Sequence, residues 1–420
     1  MMSSSRTVLV ICQVYLPDPA AVGQQLADAA EELVGRGHRV VVLTADRGYD
    51  NPRQRFPRHE TLNGVRVHRY GWSSFGKGSL LTRLLGGVSF TIQAFVQGLF
   101  LPRPDVVLVS TVPPMAASAA AVLSRLRRAS LVYSVMDLNP DQLIVLGLLG
   151  AESFPVRVFN WLNRLVLRQA KLVIVLDRFM RERVLRKASI AEKLRVVPPW
   201  PLVEPPGPIP HAENPFRQGL GLGDERIIMY SGNHGVTSPL TTLLRAAESL
   251  AHDARLKFYF VGGGAGKHEV EAATSPHLVS LPYQPLAELE HSLSAADVHV
   301  VTLGASLVGI VHPCKVYGAM AVSRPILLLG PEECHVSDLL AGKHAGWTVQ
   351  HGDVDGAVRV LREIAELPRS ELEAMGLRAR EVVNAGFTRR QLRGRFCDLV
   401  EEAATPFSAM PAGTGASRNT

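Results

Sequence analysis

Cysteine is scarce. Of 420 residues only Cys12, Cys314, Cys334 and Cys397 carry a thiol, and no two of them form a CxxC pair. That excludes a disulfide framework and a zinc knuckle, and it fits a reducing, cytoplasmic compartment. Aromatic residues are only 6% of the chain, too few for the stacking platforms that hold single-stranded nucleic acid, so no nucleic-acid partner is expected. Strict phosphate-binding signatures are missing as well. The loop after the first apolar run has no GxGxxG, and Val261 and His268 break the GxxxxGK[ST] pattern around Gly262 to Lys267.

Long apolar runs are equally few. Leu84 to Pro102 and Val106 to Ser124 are each uncharged over 19 residues, close to the roughly 20 that span a bilayer. Pro113 and Pro114 divide the second into strand, turn and helix, while Ser89, Thr91, Gln93 and Gln97 make the first a core or membrane-surface helix. Val8 to Cys12 ends at Gln13, too short for a signal peptide, and reads as a first buried strand. The net charge of +7 is unevenly spread: residues 1–200 hold 26 Lys and Arg against 14 Asp and Glu, and residues 201–420 hold 19 against 24. The basic character thus belongs to the first half, where helix Pro155 to Lys171 lines up Arg157, Arg164 and Arg168. Such a helix suits either plain solvent or anionic lipid.

What is abundant is alternation. Short β-branched runs such as Arg39 to Thr44, Asp105 to Ser110 and Leu172 to Leu176 are separated by longer amphipathic stretches, the pattern of α/β domains with doubly wound parallel sheets. Seven prolines between Pro198 and Pro210 interrupt it, and the alternation then restarts at Ile227 to Ser231. The sequence therefore predicts a first Rossmann-like domain over 1–200, a linker over 201–212, a second such domain over 213–388, a last helix near 389–403 and a disordered tail over 405–420. Ligands of such sheets sit at the carboxyl ends of the strands, so the substrate is expected between the halves.

Several loops fall at those strand ends. Gly23 opens the first helix and permits close approach of a ligand to the backbone. Gly232, Asn233 and His234 form a glycine-framed turn whose amides suit a phosphate, and Gly262 begins a second glycine-rich loop. Tyr283 is placed to flank a base and Gln284 to hydrogen-bond it. The run Ile310-Val311-His312-Pro313-Cys314-Lys315-Val316-Tyr317-Gly318 predicts a helix start with a lysine, a good diphosphate site. In the first half, Asp137 follows a buried strand and could accept a proton from an attacking hydroxyl. Asp353-Val-Asp355 has the form of a metal-binding DxD but lacks partners, so no metal is expected.

Taken in order, Val-Met-Asp137-Leu-Asn-Pro, Val-Val-Pro-Pro-Trp200, Tyr-Ser-Gly-Asn233, Phe-Val-Gly-Gly-Gly and Pro313-Cys-Lys315-Val-Tyr-Gly318 resemble retaining glycosyltransferases of family 4. Within that family they look most like the envelope-polysaccharide branch of colanic-acid and O-antigen fucosamine transferase-like proteins. The resemblance implies a GT-B fold whose final helix crosses back to the first domain. It also implies a nucleoside diphosphate sugar, UDP-linked, on the second domain, and no cofactor beyond that substrate. The acceptor, polyprenyl-diphosphate-linked or otherwise amphiphilic, would lie on the first domain at the inner, anionic membrane face. The family's Glu-x7-Glu pair falls on Ile310 and Gly318, and its His-Asp pair on Met136 and Asp137. Lys315 is left as the main candidate to balance the departing diphosphate. Two alternatives stay open: glycosylation of a soluble natural product, and a non-catalytic nucleotide-sugar-binding protein. The non-hydrolysing UDP-sugar epimerases share the architecture but need more carboxylates and histidines than these motifs supply.

Overall fold

The computed structural model describes residues 5–48, 51–75, 80–273 and 275–404; the tail expected over 405–420 lies outside them. The first domain runs β1 (Thr7–Ile11), α1 (Ala21–Gly35), β2 (Arg39–Ala45), β3 (His59–Leu62), β4 (Val65–Tyr70), α2 (Leu80–Phe100), β5 (Val106–Ser110) and α3 (Ala116–Leu126). It continues with β6 (Ser130–Ser134), α4 (Asp141–Val145), α5 (Phe154–Gln169), β7 (Leu172–Val175), α6 (Arg178–Lys187) and β8 (Leu194–Val196). After the linker come α7 (Pro215–Gly219), β9 (Arg226–Ser231), α8 (Thr241–Ser249), β10 (Leu256–Val261), α9 (Lys267–Ala272), β11 (Leu278–Leu281), α10 (Leu289–Ser294) and β12 (Val298–Thr302). Then follow α11 (Lys315–Ala321), β13 (Ile326–Leu329), α12 (His335–Leu340), β14 (Gly346–Val349), α13 (Val354–Glu366), α14 (Arg369–Gly386) and α15 (Arg389–Ala404).

Two sheets result, ordered β3-β4-β2-β1-β5-β6-β7-β8 and β11-β10-β9-β12-β13-β14. Every pairing is parallel except β3 with β4. Central strands such as Val106–Ser110 and Val298–Thr302 are buried along their whole length, as strands covered on both faces must be. The strand order reverses between β1 and β5 and again between β9 and β12. Loops leaving those strands diverge and open a crevice at each switch point.

Some local features depart from the sequence reading. β3 is an added antiparallel edge, turned into β4 by Asn63 and Gly64, both at positive φ (48° and 82°); Asn-Gly is the signal for such a hairpin. Pro239 and Pro313 lie just before their helices, which begin at Thr241 and Lys315. Asp353 caps α13 by accepting from the Gly356 amide at 2.8 Å.

Helices α2, α3, α5 and α6 share one face of the first sheet, and α1 and α15 share the other. The last helix thus belongs to the first domain's core, burying Leu392, Phe396 and Val400 against β1, β5 and β6. Asp28 of α1 ties it down. Its carboxylate accepts from Trp200 Nε1 at 2.6 Å, Arg389 Nε at 2.9 Å and Arg393 Nη1 at 2.9 Å, so one side chain joins α1, the linker entry and α15. Burial alone would raise its pKa, but Arg389, Arg393 and Trp200 outweigh that and hold it below the usual aspartate range. A depressed folded pKa stabilises above the unfolded value and is lost as pH falls through the folded one. Asp28→Ala should therefore cost about 2–4 kcal/mol at neutral pH, read as a lower urea midpoint, and the difference from wild type should shrink in acid.

Candidate active site

The crevice between β1 and β5 is a solvent-open cavity lined by Gln13, Thr111, Pro113, Asp137 and Asn139, with Thr82, Arg83 and Gly86 from the first turns of α2. Gln13 is fixed by donating its side-chain amide to the Ser73 carbonyl at 2.6 Å. Thr111 Oγ1 accepts from the amides of Met136 and Asp137 at 3.3 and 3.2 Å, which sets the backbone of the loop after β6. The Asp137 carboxylate has no hydrogen-bond or ion-pair partner among the described residues. Burial pushes its pKa up to about 6, where a carboxylate can exchange a proton near neutral pH.

At the second switch point, two glycine loops lock together. Gly232 and Gly262 sit at φ +127° and +131°, and a Cβ on Gly262 would fall 2.0 Å from the Gly232 carbonyl oxygen. Lys315 fills the space beside Gly232, where a Cβ would stand 2.6 Å from the lysine Cε. Its ammonium donates to the Tyr230 hydroxyl at 2.5 Å and to the Asn233 carbonyl at 3.2 Å. It also lies 4.2 Å from the Tyr230 ring centroid. Among the described residues it has no carboxylate partner, so a positive charge is held in place without a counter-ion. Lys267, by contrast, is spent on the carbonyls of Gly262 and Leu281 at 2.8 and 3.0 Å.

The two crevices face each other. Leu138 donates its amide to the Ile310 carbonyl at 2.8 Å across the domains. Cys314, next to Lys315, has its thiol pushed up to about 12 by burial and by the charge of Asp137. The unpaired carboxylate of Asp137 and the ammonium of Lys315, which lacks a counter-ion, therefore belong to one cleft.

Several residues expected to line the donor site have other work. A Cβ on Gly23 would meet the Tyr15 backbone at 3.1 Å, so its close approach is to the chain's own loop. The amides of Gly232, Gly262 and His234 are taken by the carbonyls of Val261, Leu281 and Gly263, and those of Cys314, Val316 and Tyr317 by His312, Pro313 and Cys314. The phosphate-binding amides expected there are thus largely used within the protein. His234 is buried against Tyr230, with ring centroids 5.0 Å apart, and burial lowers its pKa to about 4, leaving it neutral. Tyr283 turns its hydroxyl to the Gly263 carbonyl at 3.2 Å, beside the glycine loop, and Gln284 bonds the Pro282 carbonyl at 3.0 Å. Gly318 faces Leu293, with room for more than a hydrogen.

The largest correction concerns Ile310, Val311, His312 and Tyr317. All four are buried in the seam between the domains. Gly309, at φ +70°, lets the start of α6 approach so closely that a Cβ would sit 2.7 Å from the Phe179 backbone. Asp177, which caps α6, contacts His312 Nδ1 at 2.7 Å. His312 Nε2 meets the Tyr317 hydroxyl at 2.9 Å, and that hydroxyl meets His335 Nε2 at 2.6 Å. Burial drives His335 down to about 3 and Tyr317 well above its usual range. A consistent proton arrangement runs from His335 to Tyr317 to His312 to the Asp177 carboxylate, one donor meeting one acceptor at each step. The sequence reading missed Asp177 and His335, and also Gln13, Thr111 and Arg83 of the cavity. Only the helix-capping position of Asp177 was visible as a signal.

Two parallel α/β domains with their switch points turned toward one cleft define the GT-B fold. Residues 20–200 match the glycosyl transferase 4-like domain. The chain is 28% identical over 304 residues to the probable glycosyltransferase WbjE of Pseudomonas aeruginosa, covering 70% of this chain and 75% of that one. It is 27% identical over 333 residues to WcaI of Escherichia coli K12, a glycosyl transferase named for colanic acid biosynthesis, covering 75% and 81%. Its fold superposes on HepE of Anabaena, solved with UDP and glucose, with a TM-score of 0.68 at 15% identity, covering 94% of this chain and 98% of that one. The family match thus lies in the first domain, while the likeness of fold spans nearly the whole chain.

Proposed function

We propose that the protein transfers a hexosyl or N-acetylhexosaminyl unit from a UDP-linked sugar to a polyprenyl-diphosphate-linked or other amphiphilic acceptor of envelope polysaccharide synthesis, with retention of configuration. The observation that carries this reading is Lys315, a fixed ammonium without a counter-ion at the end of β9, across the cleft from Asp137. The UDP bound by HepE and the polysaccharide named for WcaI support the donor and the pathway class.

On this reading the sugar nucleotide lies along the Gly232 and Gly262 loops with its diphosphate at Lys315. The bond from the anomeric carbon to the diphosphate oxygen breaks, and the lysine stabilises the charge that collects there. The acceptor hydroxyl enters from the first-domain cavity on the same side as the leaving group. Its proton passes to the departing phosphate oxygen, with Asp137 orienting the hydroxyl. Lys315 takes the place a metal fills in other transferases, so no metal is assigned. Closure of the two domains excludes the water that would otherwise hydrolyse the donor.

A thermal-shift screen across UDP-, GDP- and TDP-sugars tests the donor class, because a ligand at ~100 times its Kd adds about 2.7 kcal/mol to the folded state. A UDP-sugar should raise the melting temperature most. No shift with any UDP-sugar removes the donor assignment, and an inverted anomeric product removes the stereochemical one.

A further inference from the structure

The first domain exposes an apolar surface that the cleft chemistry does not use. On α2, Leu84, Val88, Ile92 and Val96 recur every fourth residue and all face solvent, opposite the buried Phe90 and Ala94. On α5, Phe154, Val158, Trp161 and Leu165 form a second stripe, with Phe154 74% and Trp161 57% exposed. Val122 and Leu126 of α3 lie between them. The three helices are neighbours on one face of the sheet: Gly98 of α2 packs on Leu123, and Gln169 of α5 donates to the Ala121 carbonyl of α3. Scattered exposed leucines need no explanation, but a contiguous patch of this kind marks an interaction surface.

Charge identifies the partner. The three helices hold Arg83, Arg125, Arg157, Arg164 and Arg168 and not one Asp or Glu. Arg157, Arg164 and Arg168 run along one edge of the α5 stripe at helical spacing. None of the five forms an ion pair among the described residues. Apolar stripes edged by arginine, with a tryptophan at the boundary, are built for the interface of an anionic bilayer. A second copy of the chain fits poorly, because a two-fold interface would set this acid-free, arginine-bearing surface against itself. Among the described residues no helix is long and apolar enough to cross a membrane, so α2 and α5 would lie in the plane of the interface.

We propose that the α2–α3–α5 face docks the protein onto an anionic phospholipid surface. The first turns of α2 also form one wall of the Asp137 cavity through Thr82, Arg83 and Gly86. Docking by this face brings the cavity mouth to headgroup level, where an acceptor embedded by its lipid presents its sugar or phosphate end. This deepens the reading of an amphiphilic acceptor and rests on it for its purpose, while the docking itself is measured without any acceptor.

The test is sedimentation of the full chain with phosphatidylcholine vesicles, with and without phosphatidylglycerol, at physiological ionic strength. Phosphatidylglycerol should tighten binding by ~10-fold or more, and Arg157→Gln/Arg164→Gln/Arg168→Gln should weaken it by roughly 10²-fold. Ile92→Glu/Trp161→Glu should abolish it with the melting temperature kept, and Trp161 emission should shift to the blue on vesicles in the wild type only. Equal binding to both vesicle types, or binding untouched by the face variants, overturns the assignment. So does a concentration-dependent dimer that the same variants dissolve while wild type ignores vesicles. Vesicle binding without any UDP-sugar thermal shift would leave the docking face standing and remove the enzymatic reading; the reverse result would remove the docking face alone.

Discussion

Lys315→Ala lowers turnover by roughly 10² or more, the range expected when one fixed donor to a developing negative charge is removed. The ammonium is already anchored before substrate arrives, by the Tyr230 hydroxyl and the Asn233 carbonyl. Little reorganisation is therefore needed as charge builds on the diphosphate, and the loss should appear mainly in kcat. KM should rise less, since the resting diphosphate carries its charge over many oxygens. Lys315→Arg should recover only part of the rate. The side chain passes within 2.6 Å of the position a Cβ on Gly232 would take, and a planar guanidinium cannot follow the same path to a point contact. Stopped-flow or coupled UDP-release assays give both constants. A kcat within a few-fold of wild type would show that the leaving charge is met elsewhere.

Asp137→Asn gives the second large effect, a loss of transfer of about 10²-fold, because the uncharged amide no longer orients the acceptor hydroxyl as its proton passes to the departing phosphate oxygen. UDP binding should survive, because the residue lines the first-domain cavity and not the glycine loops around Lys315. In the wild type kcat/KM should climb with pH through a limb near 6, the value to which burial pushes this carboxyl, and the limb should vanish in the variant. Stability should move the other way. A carboxyl whose folded pKa lies above its unfolded value loses its proton more readily in the unfolded chain, so the native state weakens as pH rises from about 4 to about 6. Asn carries no such penalty. The variant should match wild type in acid and exceed it at pH 8 by up to about 3 kcal/mol, the equivalent of a two-unit shift. A destabilised variant at pH 8 would instead give Asp137 a structural role.

The parallel architecture was readable because runs such as Arg39–Ala45 and Val106–Ser110 are apolar on both faces, and only a sheet covered twice accommodates them. The proline cluster marked the division for an equally local reason. Asp137 could be singled out because it stands just beyond a strand, and Lys315 because it stands at a helix start behind Pro313. The seam was not readable. Asp177 and His312 are 135 residues apart, and nothing around either announces the other. Gly309 lacks the side chain that would keep Phe179 of the other domain away. Once that approach is made, Ile310 and Tyr317 are sealed from the cleft, although Ile310 stands where the resemblance puts the first residue of the Glu-x7-Glu pair. Glycine positions tell where backbones come close; they do not tell to what.

The placement of α15 has a consequence for biosynthesis. The helix covers β5 and β6 on the face that α1 leaves open, yet it is translated after the whole second domain. On the ribosome the amino-terminal half must therefore wait, with one side of its sheet bare, until the carboxyl-terminal half has emerged. The half that is made first is the half that is finished last, and an isolated fragment ending at the linker should need a chaperone or precipitate.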